Sequence, residues 1–455
     1  MKIVRELGEV PRRPDVIGIA PSGDVDECYR IAVDGDTVTC RARTNAGVAR
    51  AEAAVRLLAA EGELRDGVVD EGPRYAWRGL MVDCARRFWS VEELRRIVDL
   101  CALYRLNVLH LHLTDDQGWR IEIPGWPRLT EAGAEYYSAA EFLDLQAYAA
   151  TRFVTVVPEI DLPGHCGSAV RACPELRTLA APTGLPESVP FAAPLDPYDP
   201  VTRSFITDVF DGLAKLTAGP YLHIGADEAL GMDAAAFSEA VRLARRTVRA
   251  AGKRPIGWQE SSRAGIEAED IVQWWVDLAM LQIPDTAAEF ERLWDDPPPG
   301  FSFEIVRQLA HLYAPTDHDV ARTIAGGGRI LLSPMSHLYL DRPYPAAIVP
   351  PDHRPRGLSI YPPRTVAEIA AWDPSCYDLP PDRIVGVEAA LWSETLTDFD
   401  DLTTMLLPRL AAIADTAWTG TPAPWPRLRD RLAGHAALWR SLGLAAMLTT
   451  EVDWR

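Results

Sequence analysis

No uninterrupted apolar run in this chain is long enough to cross a bilayer, which leaves no reading as a helical membrane protein. The first residues, Met1-Lys2-Ile3-Val4-Arg5-Glu6-Leu7-Gly8, carry no apolar h-region, so no signal peptide is expected, and a cytoplasmic setting is the expectation, although a secreted chain trimmed of its signal would read the same. Cysteine is sparse: seven residues, an odd number, scattered and without metal-type spacing. They are expected to be reduced and mostly buried, not paired in a disulfide framework. Positive charge is also short, with 46 Lys and Arg against 65 Asp and Glu and a net charge of -19. That balance lacks the basic footprint a nucleic-acid binder or a membrane-surface protein needs. No internal repeat or low-complexity tract is present. What remains is an ordinary globular composition, 48% hydrophobic and 24% charged, over 455 residues. That length suits one large domain with a smaller one attached.

Residues 1–72 read as a small α+β unit. Two short strands, 28–33 and 37–42, flank the turn Asp34-Gly35-Asp36, and 46–58 follows as an amphipathic helix with Val48, Ala51, Val55 and Leu58 on one face. Such a unit has little core of its own and is expected to dock on the rest. From 73 to 455 the pattern changes. Eight short apolar runs, at 79–82, 108–113, 154–157, 221–224, 255–258, 271–274, 330–332 and 385–391, alternate with helical stretches. Runs buried on both faces suggest a parallel sheet, and eight of them a (β/α)8 TIM barrel. A capping box, Ser90 with Glu93, opens the helix after the first run and leads into Leu94, Ile97, Val98 and Cys101. The fifth and sixth runs are too close for a crossover helix, so one helix should be missing or irregular. A long segment, 277–327, separates runs six and seven and contains Asp295-Asp296-Pro297-Pro298-Pro299-Gly300. A connection of that length carries structure or a function such as a lid.

In such a barrel the reactive groups sit where strands end. Run one leads to Asp83 and Arg86, run two to Asp115, run three to Glu159, Asp161 and His165, and run four to Asp227 and Glu228. Run five ends at Trp258, run six at Trp274 and Trp275, run seven leads to Tyr339 and Asp341, and run eight to Trp392 and Glu394. The adjacent pair Asp227-Glu228 stands out, because burying two like charges together pushes one toward the protonated state. An acid beside an ionised carboxylate is what glycosidic bond cleavage uses; the bland alternative is a solvated pair at a helix start. Both can face one pocket only if the chain is leaving the strand there, and Gly225 and Ala226 make that bend feasible. Fourteen Trp suit stacking on sugar rings, although core packing accounts for several. His110 and His112 share a strand face and raise the question of a metal, but no third and fourth ligands follow at fitting positions.

The segments Arg78-Gly79-Leu80-Met81-Val82-Asp83-Cys84-Ala85-Arg86, His110-Leu111-His112-Leu113-Thr114-Asp115-Asp116-Gln117-Gly118-Trp119-Arg120, Pro158-Glu159-Ile160-Asp161-Leu162-Pro163-Gly164-His165 and His223-Ile224-Gly225-Ala226-Asp227-Glu228 resemble glycoside hydrolase family 20, the β-N-acetylhexosaminidases. Gly257-Trp258-Gln259-Glu260, Tyr339-Leu340-Asp341 and Leu391-Trp392-Ser393-Glu394 match in order, so the resemblance covers about 74–420. It implies an exo-acting, retaining enzyme removing terminal β-linked GlcNAc or GalNAc through an oxazoline intermediate, with no cofactor and no metal. Its partner would be a small-molecule or oligosaccharide substrate. Glu228 would be the general acid/base, Asp227 would orient the 2-acetamido group, and Tyr339 would hydrogen-bond its oxygen. Trp258, Trp274 and Trp392 would wall the sugar, with Trp275 as packing. Arg86, Glu394 and Asp341 would bind hydroxyls; Asp161 and His165 would tune the acidic pair; Asp115 would close the polar floor. Arg86 paired with Asp115 for structural reasons alone is the competing reading. Two departures concern substrate choice: Ala226 stands where the family usually has a second glycine, and 277–327 is long. A sugar-binding pseudoenzyme blocked by that segment, or a metal-dependent amide hydrolase on the same barrel, are the other classes.

Overall fold

The structure is a computed structural model that describes all residues except 24, 132–134, 181–192, 279–282, 295, 296, 298–300, 352 and 355 and the side chain of Leu312. Most of the Pro-rich stretch at 295–300 thus lies outside the described residues.

The N-terminal layer is a four-stranded sheet in the order β1-β3-β2-β4. Its strands are β1 (Lys2–Leu7), β2 (Tyr29–Asp34), β3 (Thr37–Ala42) and β4 (Gly67–Glu71), crossed by helix α1 (Asn45–Glu61). The hairpin β2–β3 and α1 were legible; β1 and β4, with few buried side chains, were not. This layer is tied to the rest by a buried carboxylate. Glu27 pairs with Arg50 of α1 and with Arg78 of the first barrel strand, both at 2.6 Å, which satisfies three charges that would be costly to bury singly. Trp418 stacks on Tyr29 across the same junction, ring centroids 5.8 Å apart.

Eight parallel strands close into a barrel: β5 (Trp77–Asp83), β6 (Val108–His112), β7 (Thr155–Glu159), β8 (Tyr221–His223), β9 (Arg254–Trp258), β10 (Ile271–Trp274), β11 (Arg329–Leu332) and β12 (Ile384–Leu391). All eight apolar runs are barrel strands. Helix α2 (Val91–Leu103) starts on the Ser90–Glu93 capping box and buries Leu94, Ile97, Val98 and Cys101. Helices α3 (Ala139–Ala150), α4 (Pro200–Leu216) and α5 (Ala234–Ala250) follow β6, β7 and β8 in the ordinary way. Between β9 and β10 the crossover helix is replaced by a single 3-10 segment, Gln259–Ala264. Between β10 and β11 lie α6 (Ala287–Leu293), α7 (Phe303–Tyr313) and α8 (Asp319–Ala325), the first two sharing a small core of Phe290, Trp294 and Val306.

The barrel interior is built in levels. One side chain from each strand, Trp77, Val108, Val157, Tyr221, Ile256, Ile271, Leu331 and Val385, forms an apolar plug. Nearer the strand C-termini the filling turns polar, with His110, Glu159, His223, Gln273 and Glu388 all buried. Gly79 makes room there, since a Cβ at that position would run into the Glu388 carboxylate. A further cluster of Met81, Trp258, Trp275, Tyr339 and Trp392 caps the barrel and faces the loops.

Candidate active site

The acidic pair is presented by a backbone turn. Beyond His223, Gly225 and Ala226 take φ of 66° and 77°, and Glu228 takes 40°. Three left-handed residues within four positions swing the chain off the strand, so that both carboxyls border the same cavity. Asp161 fastens the turn by accepting the Ala226 N–H at 2.9 Å. Only glycine fits at 225, because a Cβ there would collide with the Asp161 carboxylate. Ala226 holds its left-handed conformation against an alanine's preference, which normally costs about 1–2 kcal/mol.

Burial pushes the Asp227 carboxyl well above the usual carboxylate range, and Asp161 and Glu228 add like-charge repulsion. Burial likewise pushes Asp161 up to about 8. The Asp161 and Asp227 carboxyls, whose oxygens lie within 4.8 Å of each other and of a His165 ring nitrogen, are therefore a pair that retains a proton at neutral pH. Asp227 Oδ1 has no hydrogen-bond partner among the described residues. His165 Nε2 lies 3.3 Å from Glu228 Oε2 and 4.0 Å from Asp227 Oδ2, while Nδ1 is 3.2 Å from Asp115 Oδ1. Burial would lower its pKa, but Asp115 and Asp227 outweigh that and hold it well above the histidine norm. Asp115 is held well below its norm in turn: burial opposes its charge, yet His165, Arg86 and His112 prevail.

Arg86 combines the two readings the sequence left open. Nη2 pairs with Asp115 at 2.8 Å and Nη1 approaches Asp83 at 3.4 Å, while the guanidinium lies 5.1 Å from the Trp392 ring centre and borders the cavity. Behind Asp115 the polar filling continues inward. His112 bridges Asp115 at 3.0 Å to Glu159 at 2.8 Å, and His110 bridges Glu159 at 3.1 Å to Glu388 at 2.8 Å. These carboxylates overcome the burial that would lower both histidines and raise them to about 10 and about 9 respectively. His112 thus hydrogen-bonds carboxylates through both ring nitrogens and His110 through Nδ1, while His110 Nε2 lies 3.1 Å from Glu159. The thiols of Cys84 and Cys166 are pushed by burial to about 12, which fits space-filling and not nucleophilic attack.

The cavity over the pair has a volume of about 320 Å³, at the small end for ligand sites. Asp115, Asp161, His165, Tyr339, Trp392 and Glu394 line it together with Arg86, Asp227 and Glu228. Trp258 and Asp341 do not border it. Trp258 is fully buried behind Trp392, its ring centre 6.0 Å away, and donates its indole N–H to Glu159 at 2.7 Å. Both Asp341 carboxylate oxygens are buried without a hydrogen-bond partner among the described residues, and burial, with Glu394 adding like-charge repulsion, pushes the carboxyl well above the usual carboxylate range.

The assignment of Trp274 to the sugar wall is corrected by the structure. Trp274 is the last residue of β10 and points out of the barrel, donating to Val276 O at 2.8 Å and meeting Tyr377 edge-on at 4.6 Å. Strand alternation sends Trp275 the other way. Trp275 borders the cavity, lies parallel to Tyr339 at 6.1 Å and 4°, and donates to Glu260 at 3.1 Å. Gln259, from the 3-10 segment that replaces the crossover helix, fixes it there by accepting its backbone N–H at 3.0 Å and that of Val276 at 2.7 Å. A second residue escaped the sequence reading: Tyr313, at the end of α7, donates its hydroxyl to Glu228 Oε1.

A closed eight-stranded parallel barrel with an acidic pair, an imidazole relay and aromatic walls at its strand C-termini has the make-up of a glycosidase. The chain belongs to glycosyl hydrolase family 20: the pattern of that family's catalytic domain matches residues 75–240 and 308–421, and the protein is a glycoside hydrolase. It is 37% identical to a beta-N-acetylhexosaminidase of Cellulomonas fimi over 97% of this chain and 85% of that one. Among solved structures, the GH20 beta-N-acetylhexosaminidase of Streptomyces coelicolor A3(2) superposes with a TM-score of 0.79 at 33% identity, covering 100% of this chain and 86% of the other. A mutant Streptomyces plicatus beta-hexosaminidase in complex with product GlcNAc is as similar, at TM-score 0.79 and 33% identity over the same shares. Residues 241–307, which include α6 and the start of α7, fall between the two matched stretches.

Proposed function

We propose that the protein is an exo-acting, retaining β-N-acetylhexosaminidase that removes a terminal β-linked GlcNAc or GalNAc by substrate-assisted catalysis. The observation that carries this reading is Asp227: a buried carboxyl with an unpartnered oxygen, next to the acid Glu228 and bordering a cavity that Trp275, Tyr339 and Trp392 also line. A 2-acetamido group suits that place. Its methyl would sit against the aromatic faces, its N–H would reach Asp227, and its oxygen would be turned toward the anomeric carbon with the Tyr339 hydroxyl in support.

In the first step Glu228 gives its proton to the glycosidic oxygen. The acetamido oxygen attacks the anomeric carbon from the opposite face, the carbon–oxygen bond to the leaving group breaks, and an oxazoline forms. Asp227 stabilises the positive charge that develops on the acetamido nitrogen. In the second step Glu228 takes a proton from water, which attacks the anomeric carbon and opens the ring, so two inversions give net retention. No protein nucleophile is needed, since the substrate carries its own at high effective concentration. His165, held by Asp115, faces Glu228 and balances the charge it carries between the two steps.

The test is nitrophenol release from the 4-nitrophenyl β-glycosides of GlcNAc, GalNAc and glucose, side by side. Release from the acetamido sugars and not from glucose is expected. Equal release from glucose would exclude an internal acetamido nucleophile; release from none would favour a sugar-binding protein without turnover.

A further inference from the structure

We propose that the leaving-group side of this cavity takes an apolar aglycone, an alkyl or aryl group, in preference to a second sugar. The inference rests on Glu228 being the acid, because the aglycone must lie where that carboxyl delivers its proton. Glu228 Oε1 accepts from Tyr313, the last residue of α7, so the segment between β10 and β11 stands directly against the acid. Away from the strand ends, that segment supplies much of the apolar cavity wall, Leu278, Ile283, Trp294, Phe301, Val306 and Leu309, while Arg342 and Arg364 also border the cavity. Leu358 and Ile360 border the same cavity. The cavity is therefore two-sided in chemistry. Asp115, Asp161, Asp227, Glu228, Arg86 and Glu394 gather at the strand ends, where a hexosamine needs partners for its hydroxyls. The aliphatic and aromatic wall would leave the hydroxyls of a second sugar desolvated and unpaired, a penalty for each one buried. An apolar group loses nothing there. The wall is also held in shape without a ligand, because Phe290 and Trp294 stack at 5.0 Å and Phe301 packs on both. All but Leu309 of these six wall residues fall within 241–307, the stretch between the two matched parts of the family pattern, which also holds β9 and β10.

The experiment is kcat/KM for the methyl, butyl, hexyl and octyl β-glycosides of GlcNAc, with N,N'-diacetylchitobiose alongside. The alkanols are nearly equal as leaving groups, so chain length reports contact and not chemistry. Burial of a methylene corresponds to about fourfold, and a rise of about two- to fourfold per methylene is expected until the chain outgrows the wall, with octyl above the disaccharide. The double variant Val306→Ser, Leu309→Ser should lower the octyl-to-methyl ratio about tenfold or more; the wild-type series decides the matter even where that variant does not fold. A flat series, or a disaccharide hydrolysed faster than the octyl glycoside, overturns the proposal while leaving the catalytic assignment standing. No sugar released from any of the five overturns both.

Discussion

Asp161→Asn separates charge from geometry at the acidic pair. Asp161 does two things: Oδ1 accepts the Ala226 N–H at 2.9 Å and so holds the turn, and its carboxyl faces Asp227. Burial raises its pKa to about 8; repulsion from Glu159 and Asp115 adds to this and His165 opposes it. With that value the carboxyl is about 90% neutral at pH 7. The sign follows directly. The neutral form is compatible with a charged Asp227, and it is lost as the pH rises through about 8, when a second negative charge appears against Asp227. Above that point kcat/KM of the wild type should fall about tenfold per pH unit, so pH 9 should cost about tenfold, or 1.36 kcal/mol. Asparagine keeps an oxygen for the Ala226 N–H, presents an amide N–H to Asp227, and cannot ionise. The variant should therefore keep most of its activity at pH 7 and lose the alkaline limb, with kcat/KM at pH 9 within about twofold of its neutral value. A stopped assay with 4-nitrophenyl β-GlcNAc, run from about pH 5 to about pH 10, reads both limbs. Glu260, which burial and Asp227 also push to about 8, is the necessary control, and Glu260→Gln should leave the limb in place. An unchanged limb in Asp161→Asn, or a loss beyond about 100-fold at pH 7, would refute the reasoning.

Glu228→Gln should reduce turnover of an alkyl glycoside by about 10²–10⁴-fold and that of the 4-nitrophenyl glycoside much less, since nitrophenolate needs little protonation. Asp227→Asn should damage both substrates alike, and near-normal rates in that variant would sink the substrate-assisted mechanism. Trp275→Ala should lower kcat/KM on the order of tenfold to 100-fold through a misplaced acetamido group, whereas Trp274→Ala, outside the cavity, should change it less than about threefold per folded molecule; the reverse ranking would restore the original assignment. Gly225→Ala should destabilise by about 2–5 kcal/mol, combining overpacking against Asp161 with left-handed strain. Ala226→Gly should stay within about 1 kcal/mol, because relief of strain is offset by lost methyl burial and a freer unfolded chain; urea midpoints compare the two.

The barrel was readable because its strands are short apolar runs buried on both sides, and such runs have few other places to go. The β9–β10 irregularity was readable for an equally simple reason: the spacing leaves no room for a helix. The strands β1 and β4 were not, because their residues are half or fully exposed and carry no periodic signal. The polar filling was hidden for a different reason. Glu159 was placed at a strand end, and it is the last residue of β7; what was hidden is that it points inward, where it meets His110, His112, His223 and Trp258. A Glu in an apolar run is an expensive residue, and its expense is offset only by partners on other strands, which periodicity along one strand cannot reveal.

The two site residues that escaped show where local reasoning ends. Trp274 and Trp275 differ by one position, and one position is the difference between the two faces of a strand. The end of the run was placed correctly at Trp274; alternation from Val272 sends Trp274 outward and Trp275 inward, so the error lay in the facing of the two rings and not in the boundary. Tyr313 is another matter. It is separated from Glu228 by 85 residues, and its helix lies in a segment with no strand to fix its direction. Nothing in the local sequence marks it off from the other tyrosines. Only the packing of α7 over the mouth of the barrel brings its hydroxyl to the acid. On the proposed assignment, the groups that act on the sugar lie at strand ends, whereas Tyr313 and the apolar wall come from the connection between β10 and β11, which has a small core of its own in Phe290, Trp294 and Val306. Substrate choice in this enzyme is therefore the property least accessible from motifs, and the alkyl series is the measurement that reaches it.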